Sequence, residues 1–195
     1  HPDAEGRDVT VRTVMEQATE RVGGRFAERP RVEAKIRQVI GTTLTSHGAF
    51  DAAERELDAA VRLWARLRTP ADPELLHALN ALGEAYYFQG RLADSIRAFE
   101  RIVAATDDAP VDAGTPRVEA LANLAFMEMR SGAFDRAEAR YHDAIVAASA
   151  LPDGERDETT TLIIRGNLAS LYTYMERIAD AERVYRDVIE RAKVV

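Results

Sequence analysis

The chain has 195 residues, of which 30% are charged and 7% aromatic, and its formal net charge is −7. An acidic chain without clustered Lys and Arg lacks the surface that neutralises phosphates in nucleic-acid binding, and no run of one charge sign offers an anchor for a membrane surface. The lack of cysteine excludes disulfides and thiolate zinc sites. No apolar stretch is long enough to cross a bilayer. Because the chain begins at His1 without an initiator Met, we expect it to be a fragment of a larger protein.

The first predicted element is an N-terminal capping helix. Asp8 or Thr10 can cap a helix that runs to about Ala27. Apolar residues recur on one face of this helix at Val11, Met15, Ala18, Val22 and Phe26. We expect this stripe to pack on the first repeat, so that residues 1–29 form a tail and a capping helix.

An internal repeat organises the rest of the chain. Three glycines recur at intervals of 42 residues and three prolines precede them at intervals of 43, namely Gly48, Gly90, Gly132, Pro30, Pro73 and Pro116. Proline suits the first turn of a helix, and glycine suits the left-handed residue that ends one. A second helical run follows each glycine. The chain is therefore predicted to form four antiparallel helix hairpins, at about residues 30–70, 71–112, 113–156 and 157–195, in one continuous domain that completes its core by stacking.

The spacing inside each unit resembles the tetratricopeptide repeat. In the second unit the positions typical of that family hold Leu79, Leu82, Gly83, Tyr86, Ser95 and Phe99. Small residues stand where the paired helices should approach most closely, at Gly41, Gly83, Ala125 and Ala169. The period of 42, with Asn-Leu-Ala at 123–125 and again at 167–169, resembles the long-period kinesin-light-chain class. The resemblance implies an all-α fold, a right-handed α-solenoid of four hairpins with an N-terminal capping helix.

The sequence departs from the family pattern at three places. Glu128 replaces an aromatic residue, Arg165 replaces an apolar residue, and Glu176 stands where the fourth turn glycine should be. We therefore expect the turn of the fourth hairpin to have a different geometry from the other three.

In the family that the chain resembles, the first helix of each hairpin lines a concave groove that holds an extended peptide. Projection of that face onto this sequence gives the candidate peptide-binding residues Gln38, Thr42, Asn80, Glu84, Tyr87, Asn123, Phe126, Arg130, Asn167, Ser170 and Tyr174. The same face also carries Lys35, Thr45, His77, Phe88, Glu119, Met129 and Thr173. Asparagine can read a peptide backbone because it offers both a donor and an acceptor, and aromatic rings form side-chain pockets at low entropic cost.

Structural roles are the alternative for several of these residues. Asn123 and Asn167 either grip a peptide or hydrogen-bond between neighbouring helices. The aromatic side chains of the groove either face a ligand or belong partly to the core, and Phe88 is expected in the core.

These features predict a protein–protein interaction scaffold with no catalytic role, metal or cofactor. His77 and Glu84 lie two turns apart on one helix face, but zinc takes three or four ligands. No phosphate-binding loop or nucleophile motif is present. The expected partner is a protein or a peptide, without nucleic acid and without direct membrane contact.

Two alternative functions stay open. The final helix has no polar cap after it, so Val184, Val188 and Ile189 can pack either on a second copy, which would form a homodimer, or on further repeats downstream. Residues 6–12, Gly-Arg-Asp-Val-Thr-Val-Arg, resemble the segment that joins bacterial serine/threonine kinase modules to tetratricopeptide arrays. That resemblance implies the regulation of an attached kinase in a bacterial signalling protein. We expect a cytoplasmic location, or a periplasmic one if the chain is joined to a membrane-anchored kinase.

Overall fold

The computed structural model describes residues 25–26, 28–107 and 114–193. Within these ranges the chain forms eight helices and no strand, with the bounds α1 Pro30–Ser46, α2 Phe50–Leu67, α3 Pro73–Phe88, α4 Leu92–Thr106, α5 Gly114–Arg130, α6 Phe134–Ser149, α7 Glu158–Tyr174 and α8 Ile178–Ala192. The predicted all-α fold is confirmed. The predicted capping helix lies outside the described residues, except that Arg25 and Phe26 at its expected end form a turn. None of the described helices is both long and apolar enough to cross a membrane.

The helices belong to two compact units, one ending at Ser95 and the other beginning at Ile96, within α4. In the first unit α1 packs against α2, and both contact α3. In the second unit α5 packs against α6, α6 against α7 and α7 against α8, while α5 also contacts α7. The first helices of consecutive hairpins are therefore neighbours inside each unit. Each unit thus presents one face built from first helices.

Gly41 allows the close approach of α1 and α2. A Cβ atom added at Gly41 would lie 2.5 Å from Cγ of Leu57 and 3.3 Å from the carbonyl oxygen of Ala53. Leu57 and Ala53 are fully buried. The contact confirms that this small residue stands where paired helices approach most closely. In the second unit Ala125 and Ala169 occupy the corresponding positions and are also fully buried.

In each of the four hairpin turns, one residue adopts the left-handed backbone conformation. The φ angle is 72° at Gly48, 75° at Gly90 and 80° at Gly132. Glu176 adopts a φ of 58° and is the one non-glycine residue with positive φ among those described. After Glu176, the N–H of Arg177 donates to the carbonyl of Tyr172 at 2.9 Å. The residue after Gly48 makes the matching 2.9 Å bond, from Ala49 to Leu44. The expectation that the fourth turn has a different geometry is therefore wrong, because Glu176 accepts the conformation that glycine takes elsewhere.

Candidate functional site

Candidate residues of α1 and α3 line one pocket in the first unit. Its volume is 390 Å³, and its lining residues are Thr42, Thr45, Ser46, Gly48, Phe50, Ala81, Glu84 and Phe88. Thr42 and Glu84 are both predicted ligand-groove residues, and in the structure they line one cavity from α1 and from α3. A volume of this size falls in the range of ligand pockets, roughly 300–1,000 Å³.

An aromatic wall bounds this pocket. The rings of Phe50 and Phe88 stack with their centroids 5.5 Å apart and their planes 9° apart. The rings of Tyr87 and Phe88 meet in an edge-to-face arrangement, with 5.4 Å between the ring centroids and 60° between their planes. The exposed fraction of Phe88 is 55%, so the expectation that it belongs to the core is wrong. Phe88 lies on the surface because its stacking partner is the first residue of α2 and not a core side chain.

Four pocket residues were not predicted from the sequence, namely Ser46, Gly48, Phe50 and Ala81, and Phe50 is the one that contributes an aromatic ring. Only first helices were projected onto the groove, whereas Phe50 begins the second helix of its hairpin. The signal was present in the sequence, since Ala-Phe follows the turn glycine at 49–50 and again at 133–134.

Glu84 supplies the charge of the pocket. The Nδ2 amide of Asn80, one turn earlier on α3, donates to Oε1 of Glu84 at 3.2 Å. Among the described residues the Glu84 carboxylate has no ion-pair partner. Burial raises the pKa of Glu84, and the hydrogen bond from Asn80 opposes that shift. Asn80 is itself buried, so the hydrogen bond that its amide donates to Glu84 lies on the side of the carboxylate that faces away from solvent.

The hydroxyl groups of α1 face the pocket as acceptors. Oγ1 of Thr42 donates to the carbonyl of Gln38 at 3.0 Å, and Oγ1 of Thr45 donates to the carbonyl of Gly41 at 3.0 Å. Oγ of Ser46 likewise donates to the carbonyl of Thr42 at 3.1 Å. A hydroxyl has a single proton to donate. Each of these oxygens therefore offers only lone pairs to a ligand.

Two other polar residues of this face, Lys35 and Gln38, are already paired within the unit. Nζ of Lys35 lies 2.8 Å from Oε2 of Glu74, which joins α1 to α3. Oε1 of Gln38 accepts from Nε1 of Trp64 at 3.3 Å. Partial desolvation lowers the pKa of His77, and the carboxylate of Glu74 opposes that shift. In the part of the chain that the structure describes, no three His, Cys, Asp or Glu side chains cluster as a metal site would require.

In the second unit the candidate residues of α5 form a half-buried face. Asn123 and Phe126 are half-buried, and Arg130 is exposed in the last turn of the helix. Since α5 contacts α7, these side chains lie on the same face of the unit as the α7 candidates.

The candidate residues of α7 are more accessible. Asn167 is half-buried and has no hydrogen-bond partner among the described residues, so its amide can serve a ligand. Oγ of Ser170 donates to the carbonyl of Gly166 and lies 3.0 Å from the Tyr185 hydroxyl of α8. Tyr174 is exposed at the end of the helix. The α7 face thus combines a free amide with an open aromatic ring.

A clasp next to the pocket fastens the second hairpin to the first. Nη1 of Arg91 lies 2.8 Å from both carboxylate oxygens of Glu54, and its Nε lies 2.7 Å from Asp94. The centre of this guanidinium is 4.5 Å from the ring centroid of Tyr86. The clasp holds the turn after α3 against the start of α2, beside Phe50.

The second unit contains the same clasp. Nη1 of Arg177 lies 2.8 Å from Oε2 of Glu138, and its Nε lies 2.9 Å from Asp180. The centre of its guanidinium is 4.3 Å from the ring centroid of Tyr172. The two clasp carboxylates are 84 residues apart in the sequence, which is twice the hairpin period. The chain therefore repeats in pairs of hairpins, a pattern that the sequence analysis missed.

Helix hairpins with small residues at their contacts and left-handed turns define a helical-repeat protein. A tetratricopeptide-repeat family model matches residues 33–108 and 117–193, and the chain belongs to that family. The two matched segments agree with the pairing of hairpins that the clasps define. Tetratricopeptide repeats mediate protein–protein interaction, and the fold is typically non-catalytic.

Solved structures with the same fold include kinesin-light-chain-like proteins. The chain is similar to the nearly identical repeats of a kinesin light chain candidate from Podosopora anserina, with a TM-score of 0.70 and 19% identity over 93% of this chain and 85% of that one. It is also similar to BtubC (BKLC) from P. vanneervenii, with a TM-score of 0.79 and 15% identity over 94% of this chain and 72% of that one. No curated protein matches the sequence.

Proposed function

We propose that the chain docks an extended peptide segment of a partner protein on the first-helix face of its units. The observation that carries this proposal is the pocket between α1 and α3, which combines an aromatic wall with a carboxylate that has no ion-pair partner among the described residues and with hydroxyl oxygens that keep lone pairs for a ligand. Ligand sites in proteins share this composition of apolar lining and a few placed polar groups.

The second unit supports the same function through different groups. Asn167 offers a donor and an acceptor, which suits the carbonyl and N–H of an extended backbone. Tyr174 is an exposed ring beyond it, and aromatic rings of this kind give large contact areas at low entropic cost. The first-helix face of this unit therefore has a backbone-reading group next to an apolar contact.

A peptide-display selection on the immobilised chain tests the proposal. Peptides selected on the wild type are measured against the double variant Asn123→Ala, Asn167→Ala. We expect the affinity of peptides bound to the second unit to fall about tenfold, because each amide makes hydrogen bonds worth about 0.5–1.5 kcal/mol. The matched control is Asp143→Ala, Ser149→Ala, which removes two exposed polar side chains from α6.

The outcomes separate binding from stability. Loss of binding in the asparagine variant alone, with an unchanged melting temperature, supports the first-helix face. The absence of any enriched peptide contradicts the proposal, and equal binding of every enriched peptide by both double variants contradicts docking on the second unit.

Self-association through α8 is a second candidate function. Ile178, Tyr185 and Ile189 are exposed on this helix, at positions that share one face, while Val184 and Val188 are half-buried. Ala181 is the one α8 residue that is fully buried. Light scattering over a range of concentrations tests this candidate. A mass that doubles with concentration and returns to the monomer value in Ile189→Asp supports it, and a monomer at every concentration contradicts it.

Regulation of an attached kinase stays a separate proposal. It rests on residues 6–12, which lie outside the described residues, and the signalling role and the bacterial origin rest on the same segment.

A further inference from the structure

The pocket between α1 and α3 surrounds an uncompensated carboxylate with acceptors, and we propose that it takes the side chain of a Lys or Arg residue of the docked peptide. This inference rests on the peptide-docking function and specifies what the first unit reads. Its four supports are the position of Glu84, the pairing of the nearby cations, the hydroxyl directions and the aromatic wall.

The first unit does not use its own cations to neutralise Glu84. Lys35 of α1 is paired with Glu74 across to α3. Arg37 of α1 is held at 2.9 Å by Glu33 and at 2.7 Å by Glu56 of α2. Arg91, in the turn after α3, is held by Glu54 and Asp94. The described residues thus leave a carboxylate at the pocket, and burial of an unpaired charge is unfavourable until a cation arrives.

The polar lining fits a donor-rich group. The hydroxyl groups of Thr42, Thr45 and Ser46 already donate their hydrogen bonds to α1 carbonyls, so on the pocket side their oxygens act as acceptors. A lysine ammonium has three donors and an arginine guanidinium has five, and neither has an acceptor. A cation can therefore bond to the carboxylate and to the hydroxyl oxygens at once.

The apolar lining fits the stem of the same side chain. Ala81 and the stacked pair Phe50 and Phe88 line the pocket beside the polar groups. Long basic side chains bury their methylene stems along apolar surfaces, and a cation near an aromatic face gains further attraction. The pocket combines both features within one cavity of 390 Å³.

Other side chains fit this pocket less well. An acidic side chain would place two like charges together without a nearby cation. An apolar side chain would bury the Glu84 carboxylate further and leave it unpaired. In the second unit the corresponding helix position is Ser170, which is bonded to the Tyr185 hydroxyl. The preference for a basic residue therefore belongs to the first unit.

Selection from a random 12-residue displayed-peptide library tests this inference. The library is sorted on the wild-type chain, and the enriched peptides are measured on Glu84→Gln, which keeps the side-chain shape. We expect a Lys or Arg at one fixed position and an affinity loss of at least about tenfold in Glu84→Gln, because removal of the charge from one member of a desolvated charge pair leaves the other charge without its partner. The matched control is Glu182→Gln, which removes the same charge from an exposed site on α8.

The controls keep unfolding apart from loss of binding. Glu84→Gln removes a desolvated charge, so its melting temperature should equal or exceed that of the wild type. A second variant, Phe88→Ala, removes the aromatic wall at an exposed position and should weaken the same peptides several-fold.

Each outcome decides one question. Enriched peptides without a basic residue, or with equal affinity for Glu84→Gln and Glu182→Gln, overturn this inference and leave the peptide-docking function in place. The absence of any enriched peptide overturns both. A basic residue whose effect disappears in Glu84→Gln alone supports both.

Discussion

Replacement of Glu138 by Ala tests how the two hairpins of the second unit are held together. Oε1 of Glu138 accepts a hydrogen bond from the Tyr172 hydroxyl at 2.9 Å, and Oε2 lies 2.8 Å from Nη1 of Arg177. Burial and the hydrogen bond to Glu138 raise the pKa of Tyr172 to about 12, so its hydroxyl stays a donor at neutral pH. Both bonds join α6 to the next hairpin, so their loss should loosen α7 and α8.

The hydroxyl bond and the ion pair of Glu138 are expected to contribute differently to the free energy of unfolding. The exposed fraction is 3% for Tyr172 and 38% for the Arg177 side chain, so solvent screens the ion pair more than the hydroxyl bond. A screened ion pair contributes about 0.2–1 kcal/mol, and a hydrogen bond to a charged acceptor contributes about 1.5–3 kcal/mol. We therefore expect Glu138→Ala to lower the free energy of unfolding by about 2–3 kcal/mol and Tyr172→Phe to lower it by about 1–2 kcal/mol.

A double-mutant cycle between these two residues measures their coupling. Urea unfolding gives the free energies of unfolding, and hydrogen exchange of α7 and α8 amides reports the local opening of the fourth hairpin. The account predicts a coupling of about 1 kcal/mol or more, and Glu182→Ala, at an exposed site on α8, should change stability by less than about 0.5 kcal/mol. Additive effects of Glu138→Ala and Tyr172→Phe, or unchanged exchange in α7 and α8, would refute the reasoning.

Two further substitutions test the helix contacts and turns. Glu176→Gly removes the strain of a side chain in the left-handed conformation, about 1–2 kcal/mol, but glycine loses about 0.5–1 kcal/mol more conformational entropy on folding. Thermal unfolding should therefore show a small gain in stability. A clear loss of stability would contradict the turn geometry. Gly41→Ala forces a Cβ against Leu57 and should lower the free energy of unfolding in urea by about 1–3 kcal/mol; an unchanged midpoint would mean that α1 and α2 separate freely.

The hairpin pattern could be predicted from the sequence because it depends on local chemistry. Pro30 and Pro73 begin helices in the structure, as the missing N–H of proline favours. Gly48 takes the left-handed conformation that its place after a helical run predicts. These residues act within a single turn of the chain, so no knowledge of the neighbours was needed.

The fourth turn could not be predicted in the same way. A non-glycine residue at this position normally favours another geometry, yet Glu176 has a φ of 58°. The next residue, Arg177, is fastened to Glu138 and Asp180, and these contacts hold the chain in the turn. Strain of this kind persists where the surrounding contacts fix the backbone. The tertiary clasp thus decides a conformation that the local sequence disfavours.

The sequence indicated which helix face carries the candidate residues, but it did not indicate how exposed each side chain is or which partners it has. The resemblance to the tetratricopeptide repeat placed Thr42 and Glu84 on the first-helix face, and in the structure both line the pocket. It could not show that Phe88 stacks outside the core on Phe50, because that contact joins two hairpins. The unpaired state of Glu84 was also out of reach, since it depends on how the neighbouring cations are shared among other carboxylates.

The location of a bound peptide on the protein tests the central claim most directly. A peptide selected on the wild-type chain is titrated into isotope-labelled protein, and the NMR shifts of the amides and methyl groups are mapped onto the helices. The account predicts the largest changes on α1 and α3 around Thr42, Thr45, Ala81 and Glu84, or on α5 and α7 for peptides that bind the second unit. Changes confined to the second helices α2, α6 or α8, with the first helices unaffected, would contradict it.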